Sequence, residues 1–231
     1  MQTAELFRWI GDFFFPPVCV GCGKIGKFIC VQCSQNLPSI LPPLCEKCGK
    51  PEPTGLLCPT CWGWKANIDG IRAPYRFDGV IRDAIHEFKY RNVRAIAGFL
   101  ARLMATYFKG HPLPGDVLVS VPLSQQRLRK RGYNQSNILT KELSKLIMLP
   151  VVDSCLIRIK DNPPQARAAD ANERHKNVSG AFTCRDDRLS GKRVLLLDDV
   201  CTTGATLDAC ALALKNSNAI SVWGITLARE T

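Results

Sequence analysis

The sequence predicts an α/β protein with a parallel sheet flanked by helices, preceded by a small cysteine-rich segment. Three observations carry this. From about Ala66, strand-length apolar runs alternate with helical patterns, the order that builds a parallel sheet. Before Ala66, eight cysteines fall into four Cys-x-x-Cys pairs. Near the C-terminus, the run Val194-Leu-Leu-Leu197 enters two adjacent acids, Asp198 and Asp199, and then a turn of small hydroxyl residues and glycine. A chain of 231 residues has room for one ordinary domain and a small second one, divided here as 1–65 and 66–231.

The cysteine pairs are Cys19/Cys22, Cys30/Cys33, Cys45/Cys48 and Cys58/Cys61. A two-residue spacing places two thiolates on one tetrahedral ion, so repeated pairs point to structural zinc. The intervening sequence is too poor in apolar residues to bury a core, and metal supplies the folding free energy instead. A redox dithiol is the alternative, but redox motifs come singly on larger folds. The first and third pairs each end in glycine (Gly23, Gly49), which admits the positive φ of a metal knuckle. The second and fourth lack it and are candidates to start short helices. This repeat favours sequential pairing: Cys19, Cys22, Cys30 and Cys33 on one ion, Cys45, Cys48, Cys58 and Cys61 on another. Spacing alone also admits an interleaved cross-brace. Cys155, Cys184 and Cys210 read as core residues. Cys201, inside the turn after the acids, is a variable loop position, with a reactive thiol as the alternative.

In the second part, residues 71–77 read as a strand, 80–90 and 94–108 as helices, and 117–122 as a buried strand. Residues 134–147 read as an amphipathic helix, 151–157 and 192–197 as strands, 206–216 as a helix and 220–227 as a last strand. Residues 161–180 are polar and proline-containing, a long loop of a length that is either functional, as an active-site lid is, or a disordered surface insertion. Residues 1–15 carry an amphipathic pattern (Leu6, Trp9, Ile10, Phe13, Phe14) stopped by Pro16-Pro17. They lack the features of a secretory signal. No apolar run reaches membrane-spanning length.

The formal net charge is +11, and eight thiolates on two Zn²⁺ ions would lower it by only four. A basic balance favours polyanionic ligands such as phosphates or nucleic acid. The run Arg127-Leu-Arg-Lys-Arg131 adds a local anion attractor.

The fully apolar run before Asp198 suits a strand buried on both faces, and ligands bind at the carboxyl ends of such strands. A Thr-Thr-Gly-Ala-Thr turn opening a helix aims backbone N–H groups and the positive helix end at one point. With the acids beside it, the ligand has a phosphate at one end and hydroxyls or a cation at the other. The plainer reading is a strand–turn–helix with a solvated acidic turn.

This segment resembles the phosphoribosyl-diphosphate (PRPP) motif of type I phosphoribosyltransferases, and implies a sheet of that type. The resemblance implies that the turn Val200, Cys201, Thr202, Thr203, Gly204, Ala205 and Thr206 holds the 5′-phosphate. Asp198 and Asp199 hold the ribose hydroxyls and serve catalysis, and Mg²⁺ accompanies the diphosphate. Pro122 and Leu123, after strand 117–122, stand where that family puts its diphosphate loop, and Lys89, Arg127 and Arg131 are candidate diphosphate contacts. More widely, Phe88-Lys89-Tyr90, Val121-Pro122-Leu123, Arg127, Arg131-Gly-Tyr-Asn-Gln135, Pro163-Pro164-Gln165, Arg174 and Asn177-Val-Ser-Gly-Ala-Phe182 resemble the competence protein ComF family. That resemblance implies a cytoplasmic protein of natural transformation and DNA uptake that binds PRPP, with an unknown acceptor. The alternative is a non-catalytic adaptor for single-stranded DNA on a retired enzyme fold. Other competence proteins are then the expected partners.

Overall fold

A computed structural model describes residues 16–90, 94–160 and 178–231 of the chain. The amphipathic segment 1–15 and most of the lid candidate, including Pro163, Pro164, Gln165, Arg174 and Asn177, lie outside the described residues.

The first described segment is two metal knuckles in tandem. Each has the same design: a glycine at positive φ (Gly23 at 75°, Gly49 at 71°), then a short helix whose N-cap is a cysteine. Cys30 caps α1 (Val31–Gln35) and Cys58 caps α2 (Pro59–Trp62), as the missing glycines suggest.

The second segment is a parallel sheet. Its strands are β1 (Gly70–Arg72), β2 (Tyr75–Arg76), β3 (Val117–Ser120), β6 (Arg193–Cys201) and β7 (Ser221–Arg229). The order is β1-β7-β6-β3, with β2 beside β7, and every pairing is parallel. Central β6 is buried along Val194–Leu197, which is why it reads as an unbroken apolar run. Helices α3 (Gly79–Tyr90), α4 (Ala97–Gly110) and α6 (Gln135–Ile147) cover one face with a core around Phe88, Leu100, Met104 and Leu139. Helix α7 (Ala205–Asn216) covers the other through Leu207, Cys210 and Leu214. The short helix α5 (Gln125–Arg131) follows β3.

The expected strand 151–157 is two separate things. Val151 makes an isolated parallel bridge with Leu118 at the sheet edge. The chain then turns at Ser154 (φ 61°), and β4 (Leu156–Arg158) leaves to pair antiparallel with β5 (Phe182–Cys184) in a small second sheet. Apolar periodicity is the same in both settings, so only the backbone turn separates them. Strand 71–77 is likewise interrupted, giving β1 and β2.

The second knuckle is hydrogen-bonded to β1 and the residues just before it. Lys47 donates its Nζ to the Ile68 carbonyl (2.7 Å), the Ile71 amide donates to the Lys47 carbonyl (2.8 Å), and Arg72 donates to the Glu46 carbonyl (3.0 Å).

Candidate functional site

From β3 the chain runs through α5 and then α6, which lies on one face, to Val151, outside β3. From β6 it runs through α7 on the other face to β7, on the opposite side. The strand order therefore reverses between β3 and β6. At such a point the two connections diverge and leave a crevice at the strands' carboxyl ends. Val121, Pro122 and Leu123 leave β3 at one rim. The other rim is Asp198 through Thr206. The sequence-predicted pieces thus meet at the reversal.

Asp198 and Asp199 lie within β6 rather than after it, because pairing with β7 continues to Cys201 (register Asp198↔Thr226, Cys201↔Arg229). Asp199 is buried (5% exposed) and its Oδ1 meets the Lys89 ammonium at 2.8 Å. Asp198 accepts from the Ser136 hydroxyl (2.7 Å) and from the Asp199 amide (2.8 Å). Burial pushes the Asp198 carboxyl up, and the neighbouring Asp199 charge adds to it. The Ser136 hydroxyl and the Lys89 charge oppose, leaving it at about 6.

Helix α6 holds this arrangement together from its N-terminus. Asn134 caps it by accepting from the Ser136 amide (3.0 Å) and donates to the Val121 carbonyl (3.0 Å), fixing the β3 turn to the same helix end that holds Asp198. Gln135, fully buried, accepts from Arg131 (2.9 Å), while its Nε2 has no partner among the described residues.

Gly204 caps α7 in the left-handed region (φ 88°), where a Cβ would come within 3.0 Å of Ile71 and 3.3 Å of Trp64. Thr202, Thr203 and Thr206 are half-buried around it. Cys201 is buried, and desolvation raises its thiol. A buried protonated thiol is a packing residue, not a nucleophile.

Arg127 is exposed on α5, whose three last-turn cations suit a helix C-terminus. Arg131 stacks on Tyr90 (5.0 Å) as well as bonding Gln135. The sequence reading missed Ser136. Ser136 follows directly on the quoted Arg131–Gln135 segment, and its hydroxyl partners an acid 62 positions away. Nothing in the local pattern announces that.

Two four-cysteine clusters form, in sequential pairing: Cys19, Cys22, Cys30, Cys33 and Cys45, Cys48, Cys58, Cys61. Within each, all Sγ atoms lie within 4.8 Å of one another. Cys22–Cys30 at 3.6 Å and Cys48–Cys58 at 3.7 Å match the S–S edge of about 3.8 Å that Zn–S bonds of about 2.3 Å require in a tetrahedron. The amides of Cys30 and Cys58 donate to the Sγ of Cys19 (3.3 Å) and Cys45 (3.4 Å). Burial raises these two thiols, but the surrounding backbone N–H groups outweigh it and bring both down to about 6. Burial instead pushes Cys33 up to about 12 and Cys48 up to about 11, so it is the tetrahedral spacing of the four sulfurs that fits a zinc ion, and full cysteine closure makes the sites structural.

An acid pair and a hydroxyl–glycine turn at the strand-order reversal, behind a pair of four-cysteine knuckles, define a phosphoribosyltransferase-like sheet carrying a double zinc ribbon. Residues 10–62 match the Double zinc ribbon domain family. The chain is 29% identical to Competence protein ComFC of Bacillus subtilis (90% of this chain, 86% of that one). It is 29% identical to Competence protein F of Haemophilus influenzae (93% and 99%) and 30% identical to DNA utilization protein YhgH of Escherichia coli K12 (93% and 90%). The chain belongs to this family, the competence protein ComF family. Similar solved structures include a glutamine phosphoribosylpyrophosphate amidotransferase from B. subtilis (16% identical, TM-score 0.41, 58% of this chain and 26% of that one).

Proposed function

We propose that the crevice between β3 and β6 binds PRPP with Mg²⁺, in a protein that serves natural competence and the uptake of transforming DNA. The observation that supports this most is the acid pair Asp198–Asp199 of β6 running directly into a Thr202-Thr203-Gly204 turn at the strand-order reversal. Thr202, Thr203, Gly204 and Thr206 take the 5′-phosphate at the α7 N-terminus. Asp198 and Asp199 hold the ribose hydroxyls, with Ser136 fixing the Asp198 rotamer. Pro122 and Leu123 turn the chain toward the diphosphate, and Arg127 and Arg131 supply positive charge on that side. Lys89, now on Asp199, is released toward the diphosphate when a cation or ribose takes its place.

The carboxylates are hard oxygen donors of the kind Mg²⁺ takes. Mg²⁺ supplies neutralisation of charge on the leaving diphosphate. If an acceptor attacks the anomeric carbon, the chain's own part is to orient the ribose and to stabilise positive charge there with Asp198 and Asp199. Titration calorimetry with PRPP and Mg²⁺ tests the reading. Absence of binding by the wild type, or unchanged binding by Asp198→Asn/Asp199→Asn, overturns it.

A second reading is favoured by the exposed cations Arg127, Arg129 and Lys130 on α5 and by the net charge of +11: an adaptor for single-stranded DNA. Gel shifts across salt separate the two, since phosphate contacts lose affinity steeply with salt.

A further inference from the structure

The two four-cysteine sets share a ligand spacing but differ in cover. In the second, Cys45, Cys48, Cys58 and Cys61 are 0%, 5%, 6% and 3% exposed, and Trp64 packs against them. In the first, only Cys19 is buried; Cys30 and Cys33 are half-buried and Cys22 is exposed.

The first set also has an inner and an outer side. Cys19 is buried, and its Sγ accepts from the Cys30 amide at 3.3 Å. Cys33 packs against the core under α3, and a Cβ at Gly21 would stand 3.0 Å from its Sγ and 2.7 Å from Val80 of α3. Ile29, next to Cys30, is buried in the same core as Ile81, Ile85 and Phe88. Cys22 and Cys30 form the outer edge, with their Sγ atoms 3.6 Å apart in an exposed contact. Oxidation of cysteine follows thiolate character and access. Zinc ligation gives both sets the first property, and access separates them.

We propose that Cys22 and Cys30 are a peroxide-reactive pair, an oxidative modification site on the first zinc cluster that the second cluster lacks. The Cys22 thiolate attacks one oxygen of hydrogen peroxide. The O–O bond breaks, hydroxide leaves, and Cys22 becomes a sulfenic acid. The Cys30 thiolate then attacks the Cys22 sulfur. The S–O bond breaks, a second hydroxide leaves, and a Cys22–Cys30 disulfide forms. The two sulfurs give up two electrons and the peroxide takes them. Cys19 and Cys33 are then two ligands where a closed site takes four, so zinc is released and the knuckle loses the folding free energy that metal supplies. That knuckle covers Val80 and Ile81 of α3, the helix that carries Lys89 to Asp199. A thiol reductant together with zinc restores the set.

The test is titration of the zinc-loaded full chain with hydrogen peroxide beside a chromogenic zinc chelator, corrected for a peroxide-free control. Cysteines are mapped by alkylation before and after reduction. Of about two zinc equivalents, one is expected to leave at least about tenfold faster than the other. The product of that phase should hold a Cys22–Cys30 disulfide, with Cys45, Cys48, Cys58 and Cys61 still thiols. Dithiothreitol with added zinc should return the lost equivalent. Cys22→His keeps a closed site of three cysteines and one histidine, with no sulfur at position 22. It is expected to hold zinc and to lose the fast phase, whereas Cys48→His keeps that phase. Release of both equivalents at one rate, earlier release from the second cluster, fast loss with Cys22 and Cys30 still free thiols, or an unchanged fast phase in Cys22→His each overturns the proposal. If Cys22→His does not load zinc, the wild-type rates and disulfide map decide.

Discussion

Replacing Lys89 by methionine removes the charge that faces Asp199 across 2.8 Å, with side-chain exposures of 17% and 8% for the two partners. In the wild type, Asp199 is compensated by this ammonium, and Asp198 by the Ser136 hydroxyl and the Asp199 amide. Without Lys89, two adjacent carboxylates share a site with no cation. Breaking a buried pair from one side costs about 3–5 kcal/mol, because the remaining charge stays buried. For a chain of this size that is a fall in Tm of roughly 6–20 °C. Lys89→Met/Asp199→Asn removes both charges and should recover most of the loss. The pH dependence has a definite sign. Lys89 is one of the groups that lower Asp198, so its loss moves that carboxyl above its wild-type position near 6. The deficit is then largest at neutral pH and shrinks as acid protonates Asp198. Calorimetric melts of the three proteins between pH 5 and 8 read this directly. A single variant within about 1 kcal/mol of wild type at pH 7, or a double variant no more stable than the single one, refutes the argument.

Three further outcomes are expected. Asp198→Asn should be more stable than wild type at neutral pH: a carboxyl raised to about 6 from an unfolded value near 3.9 costs stability as pH rises through that window, and urea titrations at pH 4 and pH 7.5 should show the gap only at the higher value. Replacing Cys45, Cys48, Cys58 and Cys61 together by serine should lose one zinc equivalent and leave the first cluster loaded, whereas an interleaved arrangement, with two of these ligands in each site, would lose both; elemental analysis distinguishes them. Asp208→Leu should destabilise by roughly 2–4 kcal/mol, measured by urea unfolding, because the Asn67 and Ile68 amides lose their acceptor while the sheet edge keeps them buried; a change under about 0.5 kcal/mol would contradict this.

Local sequence carried much of this protein. The zinc ligands were legible because chelation fixes spacing within a few residues of the chain. The repeat in Gly23 and Gly49 named which pairs are knuckles, because only a positive-φ position needs glycine there. Strand β6 and its turn were legible because a strand buried on both faces leaves an unbroken apolar run, and Gly204 is needed at φ 88° to start α7. What the tertiary structure alone decided involves residues far apart in the chain. Sequential closure of the two four-cysteine sets depends on which pairs fold onto one another, which spacing left open. Val151 and β4 share one apolar pattern but belong to different sheets, separated by a single backbone turn at Ser154. Lys89 meets Asp199, and Ser136 meets Asp198, across 110 and 62 positions. Arg229 lines one cavity with Lys50, Trp64 and Thr202 only because β7 lies beside β6 and the chain folds back on both. Periodicity and spacing report a residue's near neighbours along the chain. A charge buried beside a partner from another element is fixed by packing, and packing leaves no mark on the local pattern.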